Sequence, residues 1–223
     1  MLDAHWVPEG YAAPNAEVYP WQWLWDSCFH SVIWAELGDA ARARAELASA
    51  LGTQDAQGFV PHMNYVRGPD FHADFWGRRG ASNITQPPMY GHAVVELARR
   101  GIDPGAEVRA RAVHGLRFLL DIRRRHRPSG LILLAHPWET GCDDSPRWDD
   151  LCPASPFALA AWKARKGELV ASVESDATGS PIANRSFTVA SVGFNALVAF
   201  NAEELGLDTP DVLDALDDRW DPA

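Results

Sequence analysis

The chain has little that would cross-link it or anchor it in a membrane. Its 223 residues include only three cysteines, Cys28, Cys142 and Cys152, with no Cys-x-x-Cys pair. This count indicates neither a disulfide framework nor a zinc ribbon. No apolar run approaches the roughly 20 residues that a membrane-spanning helix needs. The first residues lack the basic and apolar parts of a secretory signal. We therefore predict a cytoplasmic protein without a membrane partner.

Positive charge and metal-binding patterns are also scarce. Twenty Lys and Arg stand against 30 Asp and Glu, which gives a net charge of −10. Such a chain repels polyanions, so a nucleic-acid partner is not expected. The eight histidines form no His-Glu-x-x-His motif, and neither a Gly-rich phosphate loop nor a Gly-x-Ser-x-Gly elbow occurs. We expect no metal and no cofactor.

Helical periodicity, by contrast, runs through most of the chain. Apolar residues recur at helical spacing and share one face in several segments, for example Phe29, Ile33 and Leu37; Met89, Ala93 and Leu97; and Val189, Val192, Ala196 and Phe200. Predicted helices span residues 26–37, 39–51, 86–100, 106–125, 156–165 and 188–205, and a last one begins at Thr209 and ends at Trp220. The best strand candidate, residues 131–134, is short. About seven helices predict an all-α protein, and pairs of this kind build either an α-solenoid or an α/α toroid.

Long loops separate these helices, at residues 6–25, 57–84, 128–153 and 170–186. Loops of this length in a compact domain are usually either functional or disordered. Their tryptophan and histidine content argues against disorder, since disordered segments are poor in aromatic residues. We therefore look for the functional residues in these loops.

Residues 138–149 carry the most informative pattern. They contain four carboxylates, two tryptophans and an arginine, together with a glycine and a proline that interrupt any helix. Solvated acidic loops rarely hold two tryptophans, and buried cores rarely hold four carboxylates. The mixture suits a sugar site, where rings stack on indoles and hydroxyls bond to acids. The structural alternative is an acidic turn fixed by core tryptophans.

This stretch resembles glycoside hydrolase family 63, particularly its mannosylglycerate and glucosylglycerate hydrolase branch. Residues 19–30, with Tyr19, Trp23 and Asp26, are a second match to that family. Residues 58–65, 86–92 and 182–186 are shorter matches. The resemblance implies an (α/α)6 toroid whose loops at one end form the pocket, and exo-acting, inverting cleavage of glycerate glycosides or short α-glucosides.

The resemblance also implies roles for single residues. Asp143 would be the general acid, and its pKa would have to be raised by desolvation or neighbouring charge. At the next position the family often has Asn, whereas this chain has Asp144. Apart from the resemblance, we expect Arg147 to order the loop by pairing with a carboxylate rather than to contact substrate. The residues implied to bind the small saccharide substrate are Tyr19, Trp23, Asp26, Tyr65, Gln86 and Arg185, the last through the glycerate carboxylate.

Several of these substrate-binding assignments have a structural alternative. Asp26 could be only the N-cap of the helix that follows, with the neighbouring tryptophans in the core. Gln86 could be an ordinary polar residue at a helix start, and Arg185 an ordinary surface arginine.

The family's second catalytic carboxylate finds no match. An inverting glycosidase needs a general base opposite the acid, and none of Glu168, Glu174, Glu203 and Glu204 lies in the family's context. We therefore predict that residues 1–223 form a partial catalytic domain without its C-terminal half, and that this chain alone is nearly inactive. The alternatives are a non-catalytic carbohydrate-binding remnant and, less favoured by the Trp-rich loops, a helical interaction scaffold. The oligomeric state and the choice between glucose and mannose are left open.

Overall fold

Helices dominate residues 2–15 and 17–218, the part of the chain that the computed structural model describes. The helices are α1 Leu2–His5, α2 Leu24–Glu36, α3 Ala40–Gly52, α4 Ala73–Trp76, α5 Tyr90–Arg99, α6 Ala106–Arg117, α7 Leu159–Ala171, α8 Val192–Glu204 and α9 Pro210–Asp217. The strands are β1 Trp6–Val7, β2 Tyr11–Ala12, β3 Gln22–Trp23, β4 Met63–Asn64, β5 Val173–Ser175 and β6 Pro181–Asn184. Seven helices have eight residues or more, which confirms the all-α prediction.

Local sequence signals explain where α3 begins and which side α5 buries. The Asp39 carboxylate accepts the backbone N–H of Arg42 at 3.0 Å and so caps α3. In α5, Met89, Ala93 and Leu97 are buried at the spacing that the sequence predicts. Helix α6 continues into a π-helical turn at Phe118–Ile122, so its apolar face extends beyond Arg117.

Six of the seven longer helices in the described residues pack as three pairs, and α7 stands apart from them. Helix α2 packs on α3, α5 on α6, and α8 on α9. The first members also form a row, because α2 contacts α5 and α5 contacts α8. Their shared core contains Trp34, Leu47, Tyr90, Leu116 and Val198, all nearly inaccessible to solvent. Paired helices in a row leave one edge where the connecting loops gather, and there the candidate site lies.

Two small antiparallel ladders hold these loops in place. Strand β3 pairs with β4, so that Trp23 lies opposite Met63. Strand β5 pairs with β6 and places Val173 opposite Asn184. The β3–β4 ladder joins segments far apart in sequence, and the β5–β6 ladder brackets a turn. Together they fix the aromatic loops relative to the helices. No helix within the described residues is long and apolar enough to cross a membrane.

Several local predictions differ from the structure. Residues 131–134 are buried but form only an isolated bridge, between Ile132 and Arg125, so the predicted strand is wrong. Helix α2 begins at Leu24 with Trp23 as its N-cap, so Asp26 lies inside the first turn and is not the cap. The predicted end of the last helix at Trp220 lies outside the described residues.

The apolar face predicted for the first long helix exists but points to solvent. Phe29, Ile33 and Leu37 are exposed, whereas Cys28 and Trp34 on the other side of α2 are buried. Helix α8 repeats the pattern, because its predicted face residues Val192 and Phe200 are exposed while Phe194, Val198 and Ala202 are buried. Periodicity therefore located these helices correctly but not the side that packs.

Candidate active site

The loop over residues 138–149 is built from two 3-10 turns with a sharp bend between them. The turns are Pro137–Thr140 and Pro146–Leu151. Between them Gly141 has a φ of +69°, in the left-handed region that favours glycine. A Cβ at Gly141 would also overlap the indole of Trp25. The bend therefore needs glycine, and it directs the following residues, among them Asp143, toward the loop edge of the helices.

Glu139, in the first turn, anchors the loop to the core. Its two carboxylate oxygens accept hydrogen bonds from Arg123 at 3.0 and 2.7 Å, and both side chains are fully buried. The same oxygens accept the backbone N–H groups of Thr85 and Ala135 at 3.1 and 2.6 Å. A buried charge needs such saturation to be tolerated. Glu139 is thereby a structural residue with no free oxygen for substrate.

Asp143 lies in very different surroundings. Its side chain lines two adjoining cavities of about 640 and 420 Å³. Within residues 2–15 and 17–218, no other residue's side chain donates a hydrogen bond to its carboxyl. Desolvation raises the pKa of Asp143 to about 6; the nearby charge of Lys166 lowers it, and that of Asp144 raises it. A carboxyl in this range carries a proton part of the time near neutral pH.

The larger cavity has mainly aromatic walls. Trp21, Trp23, Tyr65, Trp76 and Trp138 all line it. The His62 ring lies among three of these indoles, with centroids 5.3 Å from Trp23, 5.2 Å from Trp76 and 6.3 Å from Trp138. Flat apolar faces of this kind suit the faces of sugar rings.

Two buried histidines are neutral here: His62 lines this cavity, and His136 packs against its wall residue Trp138. Burial lowers the pKa of His62 to about 3 and that of His136 to about 4. His62 Nδ1 lies 2.6 Å from Ser82 Oγ, and His136 Nε2 lies 3.0 Å from the carbonyl oxygen of Lys166. Neither ring is suited to carry a proton, because burial disfavours the charged form of both; in His136 both nitrogens are also engaged, Nδ1 accepting the backbone N–H of Trp138 at 3.1 Å.

The smaller cavity collects polar residues beside Asp143. It is lined by Trp25, Asp26 and Gln86, and it shares Tyr19, Trp23 and Asp143 with the larger one. Burial raises the pKa of Asp26. The Gln86 side-chain oxygen accepts the backbone N–H of Trp25 at 3.2 Å, which orients its amide at the entrance of α2.

Most of the residues singled out from the sequence meet at these cavities. Tyr19 is half exposed at the rim and packs edge-on against Trp23, with centroids 5.6 Å apart. Tyr65 is buried; its hydroxyl accepts Trp76 Nε1 at 2.9 Å and donates to Met63 Sδ at 3.3 Å. Burial raises the pKa of Tyr65 to about 12, so the hydroxyl keeps its proton.

Two arginines lack the surroundings that the sequence analysis expected for them. Arg185 is exposed and is not among the described residues that line either cavity; its contact with a glycerate carboxylate stays a prediction. Arg147 donates to Ser145 Oγ at 3.1 Å and lies over the Trp148 ring, and it forms no ion pair with a described carboxylate. The predicted Arg147–carboxylate pair is therefore wrong.

Sequence reasoning missed Lys166, a buried cation at the site. It lines the larger cavity, and its ammonium lies 2.7 Å from Asp144 Oδ1. The only sequence signal was its position one helical turn after Trp162, which does not distinguish a buried lysine from a solvated one. Within the described residues, no group of three or more His, Cys, Asp or Glu side chains could hold a metal ion.

Comparison with known proteins gives a consistent family. Residues 19–206 match the family described as the mannosylglycerate hydrolase MGH1-like glycoside hydrolase domain. The mannosylglycerate hydrolase of one Thermus thermophilus strain is 36% identical over an alignment of 160 residues that covers 62% of this chain and 37% of that protein. The glucosylglycerate hydrolase of Mycolicibacterium hassiacum is 34% identical over an alignment of 156 residues that covers 59% of this chain and 34% of that protein.

Solved structures agree with the sequence relatives. A family 63 mannosylglycerate hydrolase from another strain of Thermus thermophilus, solved in complex with Tris, superposes with a TM-score of 0.72 at 26% identity. A structure of that hydrolase in complex with glucose gives a TM-score of 0.70 at 27% identity. The superpositions cover 99% of this chain and 64% and 62% of the solved chains.

Two conclusions follow from these comparisons. The aligned segments span only about a third of the length of the curated relatives, 37% and 34% in the two cases above. The toroid-type helical fold implied by the sequence is confirmed, and so is the family: this chain belongs to the mannosylglycerate hydrolase MGH1-like glycoside hydrolases of family 63.

Proposed function

We propose that residues 1–223 are part of a glycoside hydrolase domain that binds and cleaves glycerate glycosides such as mannosylglycerate and glucosylglycerate, or short α-glucosides. The observation that carries the proposal is the position of Asp143. Its carboxyl lies where an aromatic cavity and a polar cavity adjoin, and desolvation raises its pKa to about 6. A partly protonated carboxyl at the junction of two subsites is what protonation of a glycosidic oxygen requires.

In this proposal, the two cavities hold the two sides of the scissile bond. The sugar ring lies against Trp23 and Tyr19, and its hydroxyls bond to the oxygens of Asp26 and the amide of Gln86. Tyr65 shapes the wall through its buried ring. Asp143 donates its proton to the bridging oxygen as the bond to the anomeric carbon breaks.

The second half of the reaction has no assigned residue. An exo-acting, inverting mechanism, which the family resemblance implies, needs a base roughly 6.5–9.5 Å from the acid with a water between them. Apart from Asp143, the described carboxyl groups that line the cavities are Asp26 and Glu17. We assign Asp26 to sugar binding, and Glu17 is exposed at the rim. Because no base is assigned, we expect little turnover by this chain alone.

The two cavities also favour a second candidate function, a carbohydrate-binding module without catalysis. Such a module would use the aromatic walls and the polar cavity to bind sugar. The two candidates differ in turnover and not in binding, so the test has to measure both.

The test uses the purified chain and three variants: Trp23→Ala, Asp143→Asn and, as the matched control from the same loop, the exposed Asp149→Asn. Calorimetric titration with mannosylglycerate and glucosylglycerate should show binding by wild type, Asp143→Asn and Asp149→Asn, and loss of binding by Trp23→Ala. Any release of free sugar should fall by about 10²–10⁴-fold in Asp143→Asn and stay unchanged in Asp149→Asn.

Binding with no release of sugar is expected of this chain under both candidates, because no base is assigned. Sugar release that appears when a longer chain supplies a base would then favour the hydrolase, and its continued absence would favour the carbohydrate-binding function. Release that depends on Asp143 supports the hydrolase and means that a second carboxylate acts within this chain. Absence of binding to both glycerate glycosides and to short α-glucosides, or full activity in Asp143→Asn, would overturn the proposal.

A further inference from the structure

Lys166 is a buried cation on the wall of the larger cavity. It lies on α7, its side chain is only 6% exposed, and its ammonium sits 5.5 and 5.6 Å from the ring centroids of Trp138 and Trp162. Burying an ammonium is costly unless partners compensate for the lost water. Its compensation comes from the two indole faces and from one carboxylate, Asp144 Oδ1, at 2.7 Å.

Asp144 is held in place for this contact. The same Oδ1 accepts a hydrogen bond from Trp162 Nε1 at 3.0 Å, and that indole N–H also reaches the backbone oxygen of Asp143 at 3.3 Å. Trp162 and Lys166 are four residues apart on α7, so they lie on one face of that helix. One helix face therefore holds both residues of the Asp143–Asp144 pair.

We propose that the Lys166 ammonium, held against Asp144 and facing the cavity, is a positioning group that controls the protonation state of Asp143. The proposal rests on the proposed function, in which the proton of Asp143 is the catalytic one. Lys166 favours the ionised carboxylate of Asp143 through its charge. Asp144 has the opposite effect on Asp143 in two ways. Its own negative charge disfavours ionisation of Asp143, and its ion pair keeps the Lys166 ammonium directed at Asp144.

The charges around the cavities leave this role to Lys166. It is the only lysine or arginine among the described residues that line either cavity. His62 and His136 are neutral because burial lowers their pKa values. The remaining titratable residues that line the cavities are Glu17, Tyr19, Asp26, Tyr65 and His72. Exposed Lys163 on α7 acts on Asp144, whose pKa is lowered chiefly by its hydrogen bond from Lys166.

Opposite charges near a carboxyl commonly move its pKa by about 1–3 units. The Lys166–Asp144 pair thus determines the pKa of Asp143. Without Lys166, Asp143 should hold its proton to higher pH. Without the charge of Asp144, the lysine loses its paired carboxylate while it still lines the same cavity as Asp143, so its charge should drive Asp143 toward the ionised form, which cannot donate a proton.

The experiment is a carbon-detected NMR titration of the Asp143 carboxyl in the full chain, with the resonance assigned by its loss in Asp143→Asn. Lys166→Met keeps the length of the side chain and removes its charge. Asp144→Asn removes the neighbouring charge at an exposed position. Arg165→Met, which removes the adjacent half-exposed cation that pairs with Glu168 at 3.0 Å, is the matched control.

We expect the Asp143 pKa to rise by about one unit or more in Lys166→Met, to fall in Asp144→Asn, and to stay unchanged in Arg165→Met. The double variant should lie between the two single ones. A merely structural role would move both single variants in the same direction.

The proposal would be overturned if the Asp143 pKa moved in the same direction in Lys166→Met and Asp144→Asn, or did not move in Asp144→Asn. No shift in Lys166→Met with an unchanged circular dichroism spectrum would overturn it equally. The titration needs no turnover, so it separates this proposal from the proposed function: full activity of Asp143→Asn would remove the acid role and leave the titration result standing.

Discussion

Glu139 and Asp143 are two carboxylates four residues apart in one loop, and they have opposite surroundings. Glu139 is fully buried and receives hydrogen bonds from Arg123 and from two backbone N–H groups. Asp143 is half-buried and faces open cavities, with the charges of Lys166 and Asp144 nearby. Both are removed from bulk water, but only the first has partners that replace that water.

The difference shows how one loop can serve both structure and chemistry. A carboxylate whose hydrogen-bonding capacity is filled is fixed and unavailable. One that is desolvated without such partners holds its proton more tightly, and that proton can be given to a substrate. The rigid Glu139 anchor keeps the reactive Asp143 within the small range of positions that proton transfer tolerates.

The largest effect should come from breaking the anchor. Glu139→Gln removes the charge that compensates buried Arg123 and should lower the free energy of unfolding by about 3–5 kcal/mol, the usual cost of leaving one member of a buried ion pair alone. Denaturant unfolding at pH 7 measures it, with Asp143→Asn as the comparison variant. A loss in Glu139→Gln no greater than that in Asp143→Asn would contradict the difference between the two sites.

A smaller loss should follow from altering the bend between the two carboxylates. Gly141→Ala puts a side chain at a φ of +69° and against the Trp25 indole. We expect a loss of about 1–3 kcal/mol from the crowding, beyond the conformational cost of roughly 1 kcal/mol.

Gly206→Ala is the matched control for that crowding. Its φ is +74°, and a Cβ there would meet nothing within 4 Å. The difference between the two glycine variants in denaturant unfolding therefore isolates the contact with Trp25. Equal losses would mean that the Trp25 ring moves aside freely.

The spacing of apolar residues predicted where helices lie but not always which side of a helix is buried. The spacing of Met89, Ala93 and Leu97 identified both a helix and its buried face. The equally regular Phe29 and Ile33 identified a helix whose apolar face is exposed. Periodicity reports that residues share a side of a helix, whereas packing depends on which other helices meet that side, and no local pattern contains that information.

The candidate site divides in the same way. Gly141 and Asp143 are close in sequence, and their motif located the loop at the cavities. His62 lies within the matched residues 58–65, but no pattern there assigned the ring itself to a site. Lys166 reaches the larger cavity from a distant segment through the packing of α7, so its sequence neighbourhood gave no sign of a site. Arg147 is close to several carboxylates in sequence, but it forms no ion pair with a described carboxylate.

The last expected effect concerns Asp143 itself and is a dependence of stability on pH. Its folded-state pKa of about 6 lies above the ordinary value of 3.8, so the folded protein binds the proton more tightly than the unfolded chain. The stabilisation from that proton is fully present below about pH 4 and is lost as the pH rises to about 6. Asp143→Asn does not titrate, so wild type should lose stability relative to this variant between pH 4 and 6.

Unfolding free energies measured across that window in both proteins give the difference directly, because every other titrating group is shared. Asp176→Asn is the control: its carboxylate lies in the β5–β6 turn, and a hydrogen bond from Thr178 lowers its pKa, so its contribution falls below the window. A flat difference between wild type and Asp143→Asn would mean that Asp143 is solvated in the folded state. The contrast with Glu139 would then reduce to one buried carboxylate and one ordinary surface carboxylate.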